Sequence, residues 1–126
     1  MSDGWHPYFH IGETIDTANL QINATKMLEF NDALLPTGKV IHNKQWFKGA
    51  PLKDVFLDNS FVLDMDEPMP HCTLSDPSVG LELYIYPDRA YPYLQVYTPP
   101  HRKSIAIENL SSAPDAFNNK IGLIEL

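Results

Sequence analysis

Leu81-Glu82-Leu83-Tyr84-Ile85-Tyr86 sets Leu81, Leu83 and Ile85 on one face of an extended chain and Glu82, Tyr84 and Tyr86 on the other. A period of two is the mark of a half-buried β-strand, and a helix would scatter those three aliphatic side chains. Toward the C-terminus, Tyr93-Leu94-Gln95-Val96-Tyr97-Thr98 repeats the pattern and is closed by Pro99-Pro100. Ser104-Ile105-Ala106-Ile107-Glu108 gives another strand, and Ile121 to Leu126 is expected to close the chain as one more. Toward the N-terminus, Leu20, Ile22 and Ala24 alternate with Gln21, Asn23 and Thr25, and Lys39 to His42 is a short strand candidate. Phe56 to Met65 puts Phe56, Asp58, Ser60 and Val62 on one face if extended, and Trp5 to Ile11 reads as a strand entering a turn.

Between these segments the turn formers gather. Asn31 to Gly38, Trp46 to Asp54 with Gly49 and Pro51, and Asp66 to Gly80 with Pro68, Pro70 and Pro77 are expected to be loops. Ala113 to Asn118 suits a single helical turn, with Ser112 as its N-cap. No segment keeps apolar residues at spacings of three and four over three turns, and no fixed repeat is present. Short strands and frequent turns point to an antiparallel, all-β sandwich.

A chain of 126 residues supports one domain, residues 1–126, with one modest core. Apolar residues make up 44% and charged residues 20%, ordinary values for a globular protein. A net charge of −7 with scattered Lys and Arg argues against nucleic acid or an anionic membrane as partner. Cys72 is the only cysteine, so no internal disulfide forms, and a buried, inert thiol is expected. No apolar run approaches the roughly 18 to 20 residues of a membrane span, and no leader pattern opens the chain. A cytoplasmic protein is expected.

Three side chains stand out as chemistry. His6, in Gly4-Trp5-His6-Pro7-Tyr8-Phe9, carries an imidazole suited to proton transfer near neutrality. Pro7 biases His6 toward extended backbone, so the ring projects from a strand. Glu108 shares a face with Ala106 and Ser104, opposite Ile105 and Ile107, and so faces solvent or a cleft if the isoleucines face the core. A carboxylate whose pKa is raised by a cleft is a competent general base. Asp58 reads as a turn residue, or as an acceptor for two neighbouring hydroxyls of a polyol. Trp5, Tyr8 and other aromatics suit stacking on a sugar face, or the core. The remaining histidines and Cys72 show no zinc spacing, and neither a phosphate loop nor a nucleophile elbow is present.

Gly4-Trp5-His6-Pro7-Tyr8-Phe9, Leu35-Pro36-Thr37-Gly38, Leu57-Asp58-Asn59-Ser60-Phe61, Gln95-Val96-Tyr97-Thr98 and Ile105-Ala106-Ile107-Glu108 occur in that order, followed by Ser112-Ala113-Pro114-Asp115-Ala116-Phe117-Asn118. Together they resemble the C-terminal half of the aldose 1-epimerase (galactose mutarotase)-like family. The resemblance implies part of a β-supersandwich and a cofactor-free, metal-free isomerisation of a free hexose. It implies Glu108 as the base, His6 as the acid and Asp58 as a sugar-hydroxyl binder, and the aromatics Trp5 and Tyr8 are expected beside them as substrate-binding groups. It also implies that the arginine and second histidine with which the family holds its sugar come from strands outside this chain. A homodimer or a separate chain carrying the N-terminal half is therefore the expected partner. The alternative is a non-catalytic carbohydrate-binding or interaction module of the same fold.

Overall fold

The computed structural model describes residues 1–66 and 68–126. The described residues form two antiparallel sheets packed face to face. The larger contains β1 (Tyr8–Phe9), β10 (Ile105–Leu110), β9 (Tyr93–Tyr97), β6 (Asp58–Val62), β3 (Lys26–Phe30) and β4 (Pro36–His42), in that spatial order. The smaller runs β5 (Ala50–Pro51), β2 (Asn19–Ile22), β7 (Cys72–Asp76) and β8 (Leu81–Ile85). A helical turn, α1 (Ala116–Asn119), follows the last strand, and a 3-10 turn covers Ile15–Thr17.

The expected antiparallel β-sandwich is the fold observed, and the period of two explains the packing. Leu20 and Ile22 of β2 and Leu74 of β7 point inward from the small sheet. Phe61, Leu94, Val96, Ile105 and Ile107 meet them from the large one, and all eight are buried in one core. Each such side chain contributes about 1.5–3 kcal/mol by leaving water. Cys72 sits in the same core, where burial pushes its thiol up to about 12.

Several segments differ from the sequence-based expectation. Cys72–Asp76, expected to be loop, is the strand between β2 and β8. Its inward positions are Cys72, Leu74 and Asp76, so a carboxylate interrupts the apolar alternation. That carboxylate is fully buried because Thr17 and Ser78 donate hydroxyl hydrogen bonds to it, at 2.7 and 2.6 Å, and the Ser78 N–H adds a third at 2.9 Å. Glu67, within the same expected loop, lies outside the described residues. β3 was not expected, and Ala50–Pro51 pairs with β2 inside another expected loop. Ile121–Leu126 forms no strand: Gly122 turns at φ +71° against the ring of Tyr93. The helical turn begins later than expected, at Ala116, behind Asp115 in the left-handed region, and Ser112 pairs through its hydroxyl with Ser2 instead of capping it.

One polar clamp fixes the ends of the strands that matter below. Arg102, in the β9–β10 turn, gives Nε and Nη2 to Asp16 at 2.9 and 2.6 Å and further N–H groups to the carbonyls of Leu52 and Val55. Its guanidinium lies 4.9 Å from the ring centre of Phe56. The clamp ties the chain just before β6 to the chain just before β10, the two strands that carry Asp58 and Glu108.

Candidate active site

Strand register builds the site. β1 lies against β10 with Tyr8 opposite Ala106, and an isolated bridge sets Gly4 opposite Leu110. Midway between those two pairs, the segment leading into β1 sets His6 opposite Glu108 on the face turned away from the core. Their side chains meet there, His6 Nε2 lying 2.9 Å from Glu108 Oε1. The ring of Tyr8 packs beside that of His6, with centroids 5.0 Å apart and planes tilted by 31°.

The same register continues across the sheet. Glu108 is opposite Gln95 on β9, and Gln95 is opposite Ser60 on β6. His6, Glu108, Gln95 and Ser60 thus form one transverse row that runs from the segment before β1 across β10, β9 and β6. The adjacent row carries Tyr8, Ala106, Tyr97 and Asp58. A hydrogen bond crosses between the rows: Gln95 Nε2 donates to Asp58 Oδ1 at 2.7 Å, while the Ser60 hydroxyl is bonded to Gln95 Oε1.

Above these rows lies a cavity of about 280 Å³, walled by Phe30, Leu34, Asp58, Gln95, Glu108 and Pro114. Leu34 reaches its rim from the β3–β4 hairpin, where the Asn31 side chain accepts from the N–H groups of Ala33 and Leu35. Leu34 itself sits at φ +59°, a conformation that is rare and strained for a bulky residue.

The covering leaves Glu108 only 8% exposed, although it lies on the outward face of its sheet. Burial raises its carboxyl above the ordinary glutamate range, the charge of His6 pulls it back, and the carboxylate of Asp58 adds an upward push. A raised carboxylate accepts a proton more readily at neutral pH. The imidazole beside it, 56% exposed, is placed to give one.

His6, Glu108 and Asp58, all singled out in the sequence, therefore converge on one face. Tyr8 touches His6 rather than the cavity. Trp5 is not brought there: it does not line the cavity, and it is 71% exposed. Gln95 and Ser60 escaped the sequence reading because they look like ordinary outward polar residues. Ser60 did share the expected alternation face with Asp58, the one signal that pointed to it. No cluster of three or more His, Cys, Asp or Glu side chains able to hold a metal occurs among the described residues.

The chain matches the family described as Aldose 1-epimerase over residues 1–126. Among solved structures it resembles a galactose mutarotase-like protein from Clostridium acetobutylicum, with TM-score 0.79 and 19% identity over 100% of this chain and 40% of the other. It also resembles a GalM/aldose epimerase homologue from C. elegans, with TM-score 0.75 and 22% identity over 87% of this chain and 42% of that one. A protein from Synechocystis gives TM-score 0.70 and 25% identity over 98% of this chain and 38% of that one. The chain thus spans about two fifths of the length of these structures. No curated protein matches it.

Proposed function

This chain belongs to the aldose 1-epimerase family, and from that premise we propose that it interconverts the α and β anomers of a free hexose by acid–base ring opening. Glu108 takes the proton of the anomeric hydroxyl as the bond between C1 and the ring oxygen breaks, and His6 protonates that oxygen. The open-chain aldehyde rotates about C1–C2. Closure on the other face returns the first proton to the anomeric oxygen and the second to His6. Glu108 takes up and returns one proton while His6 gives and reclaims the other, so the cycle needs no cofactor. Asp58 accepts hydrogen bonds from sugar hydroxyls beside the reacting carbon, and Tyr8 supports the imidazole; Trp5 reaches sugar only if the sugar extends past the strand edge.

The observation that carries this reading is the 2.9 Å His6–Glu108 contact on a covered sheet face that also presents Asp58. The chain spans about two fifths of its structural relatives, so the remaining sugar contacts in this reading come from outside these residues, a second copy or a separate chain being the partner proposed. A second reading, a carbohydrate-binding module without turnover, draws on the cavity wall, which holds two carboxylates and a carboxamide and no cation.

The test is the optical rotation of freshly dissolved α-D-galactose and α-D-glucose with and without the purified chain. Relaxation faster than the spontaneous rate supports the isomerase. Relaxation at the spontaneous rate, with NMR signals of the cavity residues still shifted by sugar, selects the binding module.

A further inference from the structure

Gln95 stands between two carboxylates. It is directly opposite Glu108 in the register and bonded to Asp58 on the neighbouring strand. Cross-strand neighbours of this kind have Cβ atoms about 4.5–5.5 Å apart, so a swing of the side chain brings its amide to Glu108 instead. A hydrogen bond donated to Glu108 would favour the ionised carboxylate and weaken it as a base. Something must hold the amide on Asp58.

Ser60 is the group in place to do so. It is fully buried, and its hydroxyl is bonded to the amide oxygen of Gln95. The polarity of the chain of bonds follows from the partner at its far end. An ionised carboxylate only accepts, so the amide nitrogen must face Asp58, the amide oxygen must face Ser60, and the hydroxyl must donate. One bond alone leaves the amide free to pivot; bonds at both ends fix its position and its plane.

We propose that Ser60 is a positioning residue, whose buried hydroxyl commits the Gln95 amide to Asp58 and thereby keeps it off Glu108. The inference rests on the reading of Glu108 as base and Asp58 as sugar binder, but its structural core is testable without sugar.

The first measurement is the side-chain ¹⁵NH₂ spectrum of Gln95, assigned by its loss in Gln95→Met. In the wild-type chain the two amide protons are expected well separated, one of them carrying the charged hydrogen bond. In Ser60→Ala they move toward the positions of a free glutamine. The second measurement is turnover of α-D-galactose. Ser60→Ala lowers kcat/KM about three- to ten-fold, the loss expected of one ordinary hydrogen bond. In the Gln95→Met background the same substitution has no further effect, because the amide through which it acts is gone. Unchanged Gln95 signals in a folded Ser60→Ala chain overturn the proposal, and so does an equal effect of Ser60→Ala with and without Gln95. A chain inert toward sugar would refute the proposed isomerase while the amide spectrum still decides the role of Ser60.

Discussion

Two sheet faces in this molecule turn polar residues away from the core at every second position, and their surroundings differ. On the small sheet, Asn19, Ser75 and Glu82 form one transverse row, and Gln21, Thr73 and Tyr84 the next. Glu82 there is exposed and takes the hydroxyl of Tyr84 as its partner. On the large sheet the corresponding face carries Glu108, Gln95 and Ser60, of which Ser60 is fully buried and Glu108 nearly so. Strand alternation decides which residues leave the core. What lies over them decides whether they are merely solvated or chemically poised. Leu34 on the hairpin tip and Pro114 behind β10 wall the cavity at Glu108 closely, whereas Phe47, Met69 and Pro70 border a wider hollow of about 590 Å³ on the small-sheet face that leaves Glu82 exposed.

If cover makes the difference, replacing the two glutamates should give opposite results. Glu108→Gln is expected to lower any acceleration of mutarotation by about 10²–10⁴-fold, the usual range for a lost general base. Glu82→Gln should leave the rate unchanged. Equal losses in the two variants, measured by polarimetry, would break the comparison. The next largest effect concerns the core behind the covered face. Phe61→Ala removes a side chain 1% exposed, and about 3–5 kcal/mol of stability should go with it in urea unfolding. A loss well under 1 kcal/mol would mean that the two sheets are not packed as described.

Acid unfolding sharpens the contrast further. The Asp16 carboxyl is held below its ordinary value by the hydrogen bonds of Arg102, and that of Asp76 by the hydroxyls of Ser78 and Thr17. A carboxyl lowered in the folded state adds stability that is complete above the unfolded value near 3.8 and is lost as pH falls through the folded value. Circular dichroism below that pH should show Asp76→Asn unfolding with a shallower dependence on pH. An unchanged slope would deny Asp76 this role.

Glu108 has the opposite sign. Its raised carboxyl favours folding of the protonated form, so its contribution becomes unfavourable as pH rises from the ordinary value of 4.5 through the folded value. Glu108→Gln should therefore keep the melting temperature at neutral pH or raise it slightly, the smallest effect expected here. A marked drop would make Glu108 a structural residue.

Much of this architecture was legible because alternation is local. β2, β8, β9 and β10 announce themselves with aliphatic residues two apart, and Pro99-Pro100 marks the end of β9. β7 stayed hidden because its third inward position is Asp76, whose cost of burial is offset by hydroxyls from Thr17, 59 residues away, and from nearby Ser78. β3 stayed hidden because Lys26-Met27-Leu28-Glu29-Phe30 has no clean period and its ladder with β4 is interrupted between Leu28 and Phe30. The site follows the same division. His6, Glu108 and Asp58 were visible as residue types in strands that resemble a known family. That Gln95 and Ser60 join them depends on register between strands, which no single stretch encodes.

In the proposed function a covered β-face turns Glu108 into a base. The most direct test is a ¹³C titration of the Glu108 side-chain carboxyl, assigned by its loss in Glu108→Gln. The midpoint is expected above the ordinary 4.5; a midpoint at or below that value would contradict the account.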